Sequence, residues 1–178
     1  MNITHTDLPG VVLIQPRVFS DDRGFFLETF RDCDYQRLLS SELHFVQDNH
    51  SHSTQGVLRG LHCQTNKPQG KLVRVVRGEI FDVAVDVNPQ SALFGRWFGT
   101  RLSAQTQLQL YVPPGYVHGF QVLSDCADVE YKCTDYYDPT GESGLIWDDP
   151  DAGIAWPLPD AILSDKDKRL PRLADLAA

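Results

Sequence analysis

The sequence predicts an all-β fold, a sandwich, jelly roll or closed barrel with a few short helices, and three observations predict it. Gly and Pro punctuate the chain at short intervals, and the runs between them are rich in β-branched and aromatic residues. Two of those runs alternate with the period of 2 that a strand requires. The βαβ alternation of a parallel fold is absent, so closure of a sheet or stacking of two is the way left to bury the apolar faces.

Taken in order, Val11 to Ile14 is the first β-rich run and Gly24 to Phe30 the second. Asp34 to Leu43 is the one helical stretch, with Tyr35, Leu38 and Leu39 at helical spacing. Strands are then expected at Lys71 to Val76, Glu79 to Val87, Trp97 to Leu102, Leu108 to Val112, Gly119 to Leu123 and Val129 to Thr134. In Ile80 to Val87, Asp82 and Asp86 fall on one face, and Phe81, Val83, Val85 and Val87 on the other. In Val129 to Cys133, Tyr131 shares its face with Val129 and Cys133 and is expected to point inward. Trp147 and Trp156, close to Pro150 and Pro157, read as packing residues of the C-terminal segment.

With 178 residues the chain is long enough for one domain with a substantial core and short for two. Apolar residues at 42% and aromatics at 10% are those of a globular protein rather than a disordered one. The net charge of −8 argues against a nucleic-acid binder, although a few cations converging locally would still serve an anionic ligand. Met1 to Leu13 lacks a basic segment followed by an apolar run, so no signal peptide is expected. No stretch approaches the roughly 18 apolar residues of a membrane span. Cys33, Cys63, Cys126 and Cys133 fit neither a disulfide framework nor a CxxC metal site, and read as buried free thiols of a cytoplasmic protein.

Two segments resemble the paired motifs of the cupin superfamily, whose fold is a small jelly-roll barrel, also called a double-stranded β-helix. The first runs from Gly56 through His62, Cys63 and Gln64 to Lys71 and Gly78; the second is Pro113-x-Gly115-x-x-His118. Metal cupins carry His-x-His followed by Glu in the first motif. Here Gln64 stands at the second histidine and Lys71 at the glutamate. An ammonium in place of a carboxylate repels a divalent cation, so no metal is expected, and Lys71 is instead suited to an oxyanion. His62, Lys71 and His118 in one frame point to a site of convergent titratable groups.

Further segments extend the likeness: Asp22-Arg23-Gly24-Phe25-Phe26-Leu27-Glu28, Gln47-Asp48-Asn49-His50-Ser51, Val57 to His62 and Gln69-Gly70-Lys71. Pro113 to Phe120, Tyr131-x-x-Thr134 with Tyr137, and Leu163-Ser164-x-Lys166-Asp167 follow. In this order, from about Val11 to Pro171, the chain resembles the dTDP-4-dehydrorhamnose 3,5-epimerases. The resemblance implies a cofactor-free isomerase acting on a dTDP-linked 4-keto-6-deoxy sugar. It implies His62 as the base, Asp167 as the partner that orients it, Tyr131 as the acid on the opposite face, and Lys71, helped by His118, as stabiliser of the enolate oxygen. By the same resemblance Arg59 contacts the diphosphate, and Gln47, Asp48 and Asn49 meet the nucleotide. Arg23, Phe26 and Glu28 serve the nucleotide site partly from the neighbouring subunit of a homodimer, and Tyr137, Glu142 and Lys166 occupy further binding positions.

The competing readings are a sister epimerase inverting carbon 3 alone and a non-catalytic sugar-binding cupin. A 3,4-ketoisomerase fits less well, because those relatives resemble His-x-His where this chain has His62-x-Gln64. His50-Ser51-His52 has metal-like spacing but is read as a pair of loop histidines with no carboxylate placed to complete it. Alternation turns Cys63 away from the site, so no thiol nucleophile is expected.

Overall fold

The computed structural model describes residues 1–177. In chain order the strands are β1 (Asn2–His5), β2 (Val12–Gln15), β3 (Val18–Asp21), β4 (Gly24–Leu27), β5 (Gln47–Thr54), β6 (Leu58–Gln64), β7 (Lys71–Arg77), β8 (Glu79–Asp86), β9 (Trp97–Ser103), β10 (Gln109–Val112), β11 (Tyr116–Val122), β12 (Cys126–Cys133) and β13 (Glu142–Gly144). Helix α1 (Asp32–Leu38) interrupts them early, and a single-turn α2 (Leu173–Leu176) closes the described chain. A six-stranded sheet of order β1-β2-β10-β7-β12-β5 faces a five-stranded sheet of order β13-β6-β11-β8-β9, while β3 and β4 form a separate hairpin. Among the described residues the pairings between these strands are antiparallel, as the jelly-roll expectation requires, and an isolated bridge between Val57 and Ile162 is parallel.

The core lies between the two sheets. Val73, Val75, Leu110, Val112, Ala127 and Val129 come from the six-stranded sheet, and Ile80, Ala84, Leu102, Phe120 and Val122 from the other. A second cluster behind the five-stranded sheet packs Leu61, Val83, Val85 and Val117 against Leu145, Ala152 and Leu173 of the C-terminal segment. Both faces of β8 are therefore covered. The face bearing Asp82 looks into the barrel, while the Val83 and Val85 face is roofed by the C-terminal segment. Trp156 packs edge-on against Phe81, the packing role expected of it, and donates Nε1–H to the Trp147 backbone carbonyl at 2.8 Å.

The helix begins and ends earlier than its apolar spacing suggests. Asp32 and Asp34 occupy its first turn and Arg37 its last, charges that match the helix dipole. Ser40 and Ser41 follow its C-terminal end, where hydroxyls compete for backbone groups. Leu39 and Leu43 still pack beside Tyr35 on the outer side of the six-stranded sheet, but from a loop. His50 and His52 correct a second expectation. They lie on β5, not in a loop, and both ring nitrogens reach Asp128 Oδ1 of β12, at 3.2 and 2.8 Å. The carboxylate is supplied by the cross-strand neighbour, which sequence spacing alone does not reveal.

Candidate active site

At one end of the sandwich the inner faces stop meeting through apolar side chains and a cavity opens between them. Its larger lobe, about 420 Å³, is lined by Arg59, His62, Lys71, His118, Tyr131 and Asp167, with Ser51, Leu163, Ser164 and Lys166 among its other walls. A smaller lobe of about 290 Å³ is bounded by Gln47, Asn49, Gln64, Cys133, Tyr137 and Glu142. His62, Lys71 and Tyr131 border both lobes and so mark their junction.

Strand parity explains why these side chains converge. On β7, Lys71 shares the inward face of Val73 and Val75; on β12, Tyr131 shares that of Val129 and Cys133. On the opposite sheet His62 of β6 and His118 of β11 are register partners. The backbones of β6 and β11 approach so closely there that a Cβ on Gly60 would stand 2.7 Å from the Gly119 Cα. Gly60 also has φ +118°, a conformation that glycine adopts without strain. The chain therefore sets His62 and Tyr131 on facing walls of one cavity.

His62 is held by its Nε2, 2.6 Å from Asp167 Oδ1. Asp167 arrives from a remote turn because the C-terminal segment is stitched to the start of β6: Leu58 N–H donates to the Ile162 carbonyl and Ile162 N–H to that of Gly56. Burial opposes ionisation of Asp167, yet hydrogen bonds from His62, Ser164 and the Gly60 backbone outweigh it and hold the carboxyl below its ordinary value. A carboxylate on Nε2 leaves Nδ1 of His62 for proton transfer. Burial pushes the Tyr131 hydroxyl up, against the pull of Arg59, so it keeps its proton at neutral pH. A protonated phenol facing an imidazole is an acid opposite a base.

Lys71 is half-buried at the junction of the two lobes. Burial lowers its pKa, while Cys133, Cys63, Asp82 and Glu142 act in the other direction. Its ammonium donates weakly to the His62 carbonyl at 3.4 Å. His118 Nε2 meets Asp82 Oδ1 at 2.8 Å. Gln64, at the position of a cupin metal ligand, is fully occupied elsewhere: its Nε2 donates to the Lys67 and Tyr136 carbonyls and its Oε1 accepts from Asp138 N–H. That amide clamps a loop. Among the described residues no group of three His, Cys, Asp or Glu side chains stands where it could hold a metal ion.

The remaining candidates divide by place. Arg59 is anchored by Nε–H to Ser53 Oγ at 2.9 Å and by Nη2–H to the His52 carbonyl at 3.3 Å, with its guanidinium at the cavity edge. Gln47 and Asn49 share a hydrogen bond and line the smaller lobe, where Tyr137 bonds Glu142 at 3.1 Å and Lys166 pairs with that same carboxylate. Asp48 is a correction. It lies on the opposite face of β5, paired with Lys132 at 2.8 Å over a separate depression on the outside of the six-stranded sheet, because strand alternation turns it away from its neighbours Gln47 and Asn49. Arg23, Phe26 and Glu28 lie on or beside the β3–β4 hairpin and do not reach this chain's cavity. Cys63 borders the smaller lobe but packs beside Leu61, and burial pushes its thiol up, away from nucleophilic use. Asp82 is the site residue that sequence reasoning passed over. Its signal was an acid in the otherwise apolar run Ile80 to Val85.

Residues 5–175 match the family described as dTDP-4-dehydrorhamnose 3,5-epimerase. The chain belongs to that family. A relative of this name from Neisseria gonorrhoeae is 58% identical over 168 residues, covering 94% of this chain and 51% of its own length; the chain thus spans about half of that protein. A solved dTDP-6-deoxy-D-glucose-3,5-epimerase from Legionella pneumophila, in complex with dTDP-4-keto-L-rhamnose, superposes with a TM-score of 0.94 at 47% identity, over 98% of this chain and 96% of that one. A 3'-monoepimerase from Streptomyces bikiniensis, in complex with dTDP-quinovose, is also similar, with a TM-score of 0.90 at 34% identity over 95% and 86% of the two chains.

Proposed function

We propose that the chain epimerises dTDP-4-dehydro-6-deoxy-D-glucose at carbons 3 and 5, giving dTDP-4-dehydro-L-rhamnose, without a cofactor. The observation that carries this reading is the placement of His62 and Tyr131 on opposite walls of one cavity, with Lys71 at the junction. Both carbons flank the ketone at carbon 4. Removing either proton gives an enolate, and inversion follows when the proton returns from the other face. His62, oriented by Asp167, takes the proton; Tyr131 supplies one from across the cavity. Lys71 and His118 meet the enolate oxygen, where preorganised positive charge lowers the barrier most.

The nucleotide diphosphate is the anion that the local cations serve. Arg59 offers a planar guanidinium for bidentate contact, and Lys166 adds a second charge at the cavity rim. Gln47, Asn49, Tyr137 and Glu142 line the adjoining lobe as hydrogen-bonding partners. The active assembly is a homodimer. Phe19, Phe25 and Phe26 expose 48, 61 and 66% of their surface on a hairpin that joins neither main sheet. An aromatic patch of this kind seeks cover, and a second subunit provides it while bringing Arg23, Phe26 and Glu28 toward its site. Among the described residues no helix is long and apolar enough to cross a membrane. The four thiols are unpaired, which suits the cytoplasm, but only Cys133 is buried as expected; Cys63 and Cys126 are partly exposed and Cys33, on the surface helix α1, is exposed.

The test is incubation with dTDP-4-dehydro-6-deoxy-D-glucose in heavy water followed by NMR. Deuterium and inversion at carbons 3 and 5 are expected. Deuterium at carbon 3 alone would make the chain a monoepimerase, like the Streptomyces relative, and no exchange from folded protein would remove the enzyme reading. Stoichiometric zinc, iron or manganese in the purified protein would contradict the metal-free reaction.

A further inference from the structure

We propose that Asp82 is a positioning residue of the oxyanion pocket: it fixes the His118 ring and supplies the buried negative charge that His118 and Lys71 share. The inference rests on the reading of those two residues as enolate stabilisers, and it assigns a role to a side chain that touches no substrate.

The two acids of β8 look equivalent in sequence and differ in the fold. Asp86 is consumed by its own loop: Oδ1 accepts from Asn88 N–H at 2.9 Å and Oδ2 from Ser91 Oγ at 2.5 Å. Asp82 is completely buried and spends one oxygen on His118, while Oδ2 is buried with no partner. A half-satisfied buried carboxylate is costly, and an apolar side chain of like volume would pack there with less penalty. Its location gives the reason to keep it. His118 lines the cavity beside Lys71, and Asp82 is among the groups whose field acts on the Lys71 ammonium.

The geometry sets the ring's working nitrogen. With Nε2–H donated to Asp82, His118 keeps Nδ1 as its other nitrogen, and the contact holds the ring in one orientation. The site then holds two histidine–aspartate pairs whose histidines stand on the neighbouring strands β6 and β11: His62 with Asp167, which accepts a proton, and His118 with Asp82, which supports negative charge.

Asp82→Asn keeps shape and the accepting oxygen while removing charge. The groups acting on Lys71 are Cys63 of β6, Asp82 of β8, Cys133 of β12 and Glu142 of β13, all of which favour its protonated form against burial. Removing one of them lets Lys71 lose its proton at lower pH, so the alkaline limb of kcat moves down. The expected result is a kcat roughly 10- to 100-fold lower, less than loss of a whole oxyanion donor, with KM little changed and the alkaline limb displaced to lower pH. In a Lys71→Met background the same substitution should no longer move that limb. Folded Asp82→Asn with wild-type kcat and an unmoved limb would overturn the inference. A second measurement needs no variant: nitrogen-15 NMR of the wild-type imidazoles should show a protonated, hydrogen-bonded His118 Nε2, and an unprotonated Nε2 would equally overturn it. Wild-type protein without exchange at either carbon would sink the epimerase reading instead, and the NMR result would still report on the Asp82–His118 pair.

Discussion

Lys71 and Gln64 both depart from the metal-binding frame, and Lys71 changes its charge. At the position where a metal cupin has a carboxylate, it places a cation inside the barrel, and burial and four neighbouring groups work against each other to set its charge. Lys71→Met should lower kcat by about 10²- to 10³-fold, the usual loss of one oxyanion donor, while calorimetry with dTDP shows nucleotide affinity nearly unchanged. Tyr131→Phe should retain solvent exchange and lose net inversion, because it removes the proposed reprotonating acid and spares the proposed base; normal inversion by that variant would end the assignment. Both residues were legible from the sequence, since period-2 parity alone turns Tyr131 inward and the cupin spacing frames Lys71. Asp167 was legible only through its short family-like motif. Its contact with His62 depends on the C-terminal segment running back along β6, a long-range pairing with no local signal.

At the scale of elements, the site depends on β6 and β11 lying closer than ordinary strands. In Gly60→Ala the new Cβ would meet the Gly119 Cα at 2.7 Å and the His118 carbonyl at 2.8 Å, in a backbone conformation unsuited to alanine. The expected cost is on the order of 3 kcal/mol, read as a lower urea midpoint at unchanged m-value, and the shifted strands should disturb both histidines. Apolar strands such as β8 announced themselves in the sequence. β5 did not, because its inward residues Gln47, Asn49 and Ser51 line a polar cavity and Ser53 is buried, so both its faces are polar and the alternation leaves no hydrophobic trace. The helix kept its type but shifted, since its end is set by Ser40 and Ser41 rather than by apolar spacing.

At the scale of the whole molecule, the two sheets divide the labour. The five-stranded sheet carries His62, His118 and Asp82, and the six-stranded sheet carries Lys71 and Tyr131, so closing the sandwich assembles the chemistry. Family membership makes the jelly roll and the sugar-nucleotide chemistry one account. The exposed hairpin bears on the proposed assembly: light scattering should give a dimer for the wild type and a less active monomer for Phe25→Asp, and a fully active monomer would detach the hairpin from function. The central claim is that one base, His62, begins both inversions. It is tested most directly by following deuterium entry into dTDP-4-dehydro-6-deoxy-D-glucose with His62→Ala beside the wild type. The account predicts exchange at carbons 3 and 5 with the wild type and at neither with the variant; exchange by folded His62→Ala at the wild-type rate would contradict it.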